Sequence, residues 1–244
     1  MRSAMSVRGL RGLIADAREY DRRSLLILIY VPVALAMLEY FFVPSRGGDT
    51  FRFLRDPERP FLPYLWYHLG CLIFMVAVPM LLGWFGAGLS PRAAGVTVRG
   101  TWRDAPLYGL LYLLSIPLLL WAARQPAFTS LYPFYQPRGG NLLEQDYVLF
   151  EATYFLQFFA VEYFFRGFIT LGLKPALGRA SVLVMLAPYC MIHFHKPLPE
   201  ALGAIGAGLL LGMLSWRNGT IIWGWFLHYA IALSMNVLGH LAKH

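Results

Sequence analysis

The chain has 244 residues, of which 58% are hydrophobic and only 14% charged, with a mean hydropathy of +0.53. That balance excludes an ordinary soluble domain and leaves room for one helical membrane bundle and little else. The net charge of +8 is spread over the N-terminus and the loops, which suits the anionic inner face of a membrane and argues against a nucleic-acid footprint.

Residues 1–23 form a basic cytoplasmic head carrying Arg2, Arg8, Arg11, Arg18, Arg22 and Arg23, with Arg8 to Tyr20 expected as a short helix on the membrane surface. The rest, 24–244, reads as a single transmembrane helical domain. Ser24 to Val43 is long enough to cross a bilayer and too long for a signal-peptide core, and no small-x-small cleavage site follows it, so it reads as a retained anchor. After a polar loop to Arg59, Pro63 to Gly86 predicts a second span, with Trp66, Tyr67 and Trp84 as interfacial anchors and His68 as a satisfied interface histidine. Ala105 to Ala123 predicts a third. The connection Arg124 to Asp146 is the longest, and Pro126, Pro133, Pro137, Gly139 and Gly140 mark it as a lid, a mouth or a linker.

Tyr147 to Leu173, Ala180 to Phe194, Glu200 to Trp216 and Thr220 to His240 complete about seven spans, an all-α polytopic transmembrane helical bundle. In the sixth, Gly203, Ala207, Gly208 and Gly212 recur at spacings that let helix backbones approach closely. Cys71 and Cys190 lie in apolar runs without metal-type spacing and read as small core residues. With the N-terminus inside, inner segments collect twelve Lys and Arg against eight outside, which predicts an inside N-terminus and an outside C-terminus.

Few strongly polar residues lie well inside the later spans: Glu162, Arg166, His193, His228 and Asn236. Glu162 and Arg166 are one helical turn apart and can meet on one face. An ionisable group at membrane depth is retained where it faces protein or water, so the pair is either a structural pin between helices or part of a reaction centre. A carboxylate and two histidines on three different spans suit general-base or metal chemistry. Glu39 and Glu151 fall near span ends, within reach of the interface. His195 is expected at the surface, His240 and His244 at a frayed terminus, and Glu200 at the start of the sixth span as an outer partner of the His193 region.

Glu162-Tyr-Phe-Phe-Arg166-Gly167, then Tyr189-Cys-Met-Ile-His193, then His228 in the last span resemble, in order and position, the three motifs of the CAAX protease and bacteriocin-processing enzymes. The likeness covers about Tyr154 to Asn236 within a core at 147–240, and the segment His193 to Glu200 resembles a bacterial branch of that family. Three positions depart from the family pattern. Val161 stands where the first of two adjacent glutamates is expected, Tyr189 replaces a phenylalanine, and Ala232 stands where an asparagine or aspartate follows the last histidine by four.

The resemblance implies an intramembrane endopeptidase. Glu162 with His193 would activate a water, Arg166 would hold Glu162 ionised, and His228 with Asn236 would stabilise the oxyanion. No cofactor is expected. Zinc stays open as an alternative, with Glu162, His193 and His228 as ligands. The expected partners are the lipid bilayer and a membrane-associated peptide or protein substrate, with no nucleic acid, and the expected location is a bacterial inner membrane. The competing reading is a non-catalytic membrane protein, with an immunity, scaffold or transport role, that has lost the first motif glutamate.

Overall fold

The computed structural model describes residues 21–43, 59–98 and 101–243. The expected surface helix Arg8 to Tyr20, most of the loop after Val43, and His244 lie outside the described residues. Among these described residues seven main helices follow in order: α1 (Arg22–Phe41), α2 (Leu62–Gly86), α3 (Ala105–Ala122), α4 (Gln145–Leu177), α5 (Ala180–Met191), α6 (Leu198–Asn218) and α7 (Ile222–Leu241). No strand occurs among the described residues. The protein is an all-helical, multi-pass membrane bundle, as composition requires: in hydrocarbon only intra-helical bonding satisfies every backbone group.

Local chemistry sets the helix ends. The Asp21 carboxylate accepts from Ser24 N at 2.9 Å and caps α1; this bond holds the exposed Asp21 carboxyl below its usual range. Gly219, at φ +67°, closes α6 in a left-handed turn, and its N–H bonds back to Ser215 O.

Among the described residues, five helices are long and apolar enough to cross a membrane: α1, α2, α3 with its preceding turn, α4 and α6. Of the other two expected spans, α5 stops at Met191 after 12 residues, because the chain turns through His193 to Pro197. Helix α7 has the length, 20 residues, but His228, Asn236 and His240 dilute its apolar content.

Helix α4 is the axis of the bundle. Of its span, 61% is buried inside the protein, against 11–28% for the other four. Its middle, Tyr163–Leu171, is wound as a π-helix, and all nine residues are buried. Thr170 Oγ1 donates to Phe165 O at 3.0 Å, a bond five residues back that matches the wider turn.

Helix α5 packs on α6 through two of the predicted small residues. A Cβ at Gly208 would lie 2.7 Å from Tyr189 Cδ1, and one at Gly212 would lie 2.8 Å from Met185 Cε. Gly203 faces open space instead. Gly167 lets a loop cross α4, since its Cβ would strike Ala94 O at 2.5 Å. Helix α7 lies between α3 and α4, while α1 and α2 close the far side, with Tyr30 set edge-on to Phe164 and Phe168.

The two ends of the bundle differ. At one, Arg23 Nε donates to Ala87 O, Lys174 Nζ to Trp216 O, and Ile221 N to Gly95 O. At the other, the long connection 124–146 is pinned into the helix ends. Tyr64 donates its hydroxyl to Phe134 O, Asn236 Oδ1 accepts from Phe134 N at 3.2 Å, and Tyr132 donates to Glu200 at 2.9 Å. Asp21 and Leu241 therefore sit at opposite ends.

Candidate active site

The site is built on α4 and α7, which run antiparallel and are registered by Trp225 Nε1 donating to Phe155 O at 2.8 Å. Glu162 is the last residue of the α-helical half of α4, and Arg166 lies in the π-wound half. Both side chains are fully buried, and Arg166 Nη1 approaches Glu162 Oε1 at 3.1 Å. That contact is an ion pair out of line for a hydrogen bond. The guanidinium carbon stands 4.0 Å above the Tyr189 ring of α5, a cation–π contact that replaces part of the hydration the charge has lost.

His228 of α7 completes the pair. Its Nδ1 lies 2.8 Å from the same Oε1, and its side chain is 17% exposed, unlike the two charges behind it. An ionised carboxylate only accepts, so the hydrogen-bond network assigns the proton to Nδ1 and leaves Nε2 as a lone pair. Gly224, one turn before His228, makes room for the carboxylate: a Cβ there would lie 3.0 Å from Glu162 Oε2.

His193 follows α5 and is half-buried. Its Nδ1 lies 2.8 Å from Tyr189 O, which again fixes the tautomer and frees Nε2. The rings of His193 and His228 lie 4.9 and 6.2 Å from the Tyr189 ring, so both imidazoles converge on one aromatic platform. Four of the five expected residues, Glu162, Arg166, His193 and His228, are thereby gathered around Tyr189.

Asn236 is not gathered with them. It is fully buried, its amide donates to Glu151 Oε1 at 2.8 Å, and its oxygen accepts from Phe134 N. Its role as oxyanion donor is corrected to that of a tie between α4, α7 and the long connection. Glu151 is corrected with it. It is 7% exposed rather than interfacial, and it also accepts from Tyr229 at 3.2 Å. The signal was present in the spacing: Glu151 precedes Glu162 by three helical turns, and Asn236 follows His228 by about two on the facing helix.

Other expectations sort in the same way. His195 is 74% exposed and 3.9 Å from Glu39, as expected of a surface residue. His240 is buried, where a frayed terminus was expected, because α7 continues to Leu241. His68 is buried against Thr153 Oγ1 at 2.8 Å. Glu200 pairs with Lys196 at 2.9 Å and with Tyr132. Burial pushes the Lys196 ammonium below its ordinary range, and Glu200 opposes that shift.

Two positions that depart from the family pattern are apolar and buried, Val161 at 5% and Ala232 at 5% exposure. No three His, Cys, Asp or Glu side chains among the described residues are arranged to hold a metal ion. Glu162 and His228 bond one another instead of splaying around a shared centre.

The model of a family described as "Rce1-like: Type II CAAX prenyl endopeptidase Rce1-like" matches residues 144–234. That stretch is over a third of the chain and includes Val161, Glu162, Arg166, Tyr189, His193 and His228, but not Asn236. Neither the curated proteins nor the solved structures compared with the chain gave a match. Motif order, the convergence on Tyr189 and the family match agree: residues 144–234 are similar to the CAAX protease and bacteriocin-processing family.

Proposed function

We propose that the protein is an intramembrane endopeptidase that hydrolyses a peptide bond of a membrane-associated protein, in a bacterial inner membrane. The observation that carries this reading is the 2.8 Å bond from His228 Nδ1 to a carboxylate buried completely beside Arg166. A carboxylate that fixes a histidine's tautomer turns the far nitrogen into a directed base. His228 Nε2, oriented by Glu162, would take a proton from water as it attacks the scissile carbonyl. His193 Nε2, oriented by the bond from Nδ1 to Tyr189 O, would accept a hydrogen bond from the same water, and His228 Nε2 would then pass the proton it took to the departing amine. Arg166 keeps the carboxylate ionised and in place. In this division of labour Glu162 acts through His228, which follows from their direct bond and from Val161 standing where the first motif glutamate belongs.

Zinc fits these residues poorly, because Arg166 and His228 both occupy Glu162 Oε1, and a cation at that oxygen would face the guanidinium charge. The proposed reaction uses none. The test is purified protein given a prenylated peptide ending in a CAAX sequence, and membranes with and without the protein compared for shifted protein termini. Cleavage that survives dialysis against a strong chelator and is lost in Glu162→Gln supports the reading; loss reversed by stoichiometric zinc overturns the metal-free part.

One observation favours a second reading, a non-catalytic membrane protein. The positions of the expected glutamate and asparagine, Val161 and Ala232, are both apolar and buried. Unchanged termini across the membrane proteome in the presence of the intact protein would decide for it.

A further inference from the structure

Helix α3 is the span least buried in the bundle, at 11%, and it lies outside the matched segment. It buries two residues, Tyr108 and Leu119. Tyr108 is 3% exposed and packs with Leu211 and Leu227, the latter adjacent to His228 in sequence. Its hydroxyl is fully enclosed and has no hydrogen-bond partner among the described residues. A phenol hydroxyl buried without a partner is costly, and a phenylalanine would fill the same space without that cost.

The site holds the complementary group. Glu162 Oε2 is likewise enclosed and without a partner, while Oε1 serves both Arg166 and His228. Oε2 faces α7 at Gly224, where the backbone carries no side chain. Helix α3 packs along α7, with Tyr108 against Leu227, which lies one turn after Gly224 and next to His228. An orphaned donor and an orphaned acceptor thus share one enclosed neighbourhood. Tyr112, one turn further along α3, shows the contrast: its hydroxyl is already bonded to Ser234 at 2.8 Å.

We propose that Tyr108 is a positioning residue of the site, its hydroxyl donating to Glu162 Oε2 across one water, so that the carboxylate is held from α3 as well as from α4 and α7. The role in catalysis rests on the function proposed above; the contact itself does not. With Oε2 anchored, Oε1 stays aimed at His228 Nδ1, and the imidazole keeps its orientation. Tyr108 touches neither the attacking water nor the substrate and acts through Glu162.

The test is infrared difference spectroscopy on the purified, membrane-reconstituted protein. The Glu162 carboxylate band is identified by its loss in Glu162→Gln. Tyr108→Phe is expected to move that band, and Tyr112→Phe is expected to leave it in place. An unmoved band in a folded Tyr108→Phe protein overturns the proposal. With the prenylated CAAX peptide as probe, Tyr108→Phe should lower kcat about tenfold, the effect of one hydrogen bond to a charged group, with KM unchanged. If Glu162→Gln still cleaves, the proposed function fails while the band shift still decides the contact. If Glu162→Gln is inactive and Tyr108→Phe matches wild type in band and rate, only the role of Tyr108 fails.

Discussion

Replacing Arg166 with Met should be among the most damaging single changes in the protein, and replacing Glu162 with Gln in the same chain should repair much of the damage. Both charges are fully buried at 3.1 Å. At an effective dielectric of about 20 that separation corresponds to about 5 kcal/mol of attraction. The cation–π contact on Tyr189 adds about 1–2 kcal/mol when desolvated. Desolvation of both ions offsets most of this, so the pair's net worth is small, but an unpaired partner left behind costs about 3–5 kcal/mol. Arg166→Met strands the carboxylate with only His228, and Glu162→Gln strands the guanidinium over Tyr189. In the double variant neither charge remains, and the glutamine oxygen can still accept from His228 Nδ1. The loss should then fall to about 1–2 kcal/mol, mainly the cation–π term. Reversible unfolding of the four proteins in mixed micelles gives the coupling energy directly. Additivity of the two single changes within about 0.5 kcal/mol would refute the reasoning, since it would mean that the charges do not depend on one another.

His228→Ala and His193→Ala should each lower peptide cleavage about a hundredfold or more without preventing membrane insertion, while His195→Ala, at a 74% exposed side chain, should leave the rate unchanged. Gly224→Ala should reduce cleavage because its Cβ would press on Glu162 Oε2 at 3.0 Å, whereas Gly203→Ala, with nothing within 4 Å, should leave activity intact and raise stability by about 0.5 kcal/mol. Melting curves and initial rates on both glycine variants check that pair. The excess of Lys and Arg on the Asp21 end predicts an outside C-terminus; a reporter fused after Lys243 that is active only in the cytoplasm would overturn that orientation.

Much of this protein follows from its sequence alone. Apolar runs of twenty or so residues admit only helices in a bilayer, because hydrocarbon offers backbone groups no other partner, so the class, the order of the helices and their approximate limits were legible. So was the pairing of Glu162 with Arg166, since i, i+4 neighbours meet through local geometry. Gly208 and Gly212 revealed a close helix contact for the same reason, although spacing could not say that Gly203 faces away from it.

What the tertiary structure decided is the choice of partners across helices. Spacing along one helix says nothing of the rotation or register of its neighbour. Only the antiparallel register of α4 and α7 shows that Glu162 meets His228 while Asn236 meets Glu151. Only the packing of α3 brings Tyr108 against Leu211 and Leu227, beside His228. Burial of Glu151 and His240 was likewise hidden, because a residue near a span end can reach water unless another segment covers it. Here the connection 124–146 covers the Glu151 end of the bundle, through Phe134 and Tyr132. Long-range contacts of this kind arise from how whole helices fill space together, and no local pattern in the chain encodes them.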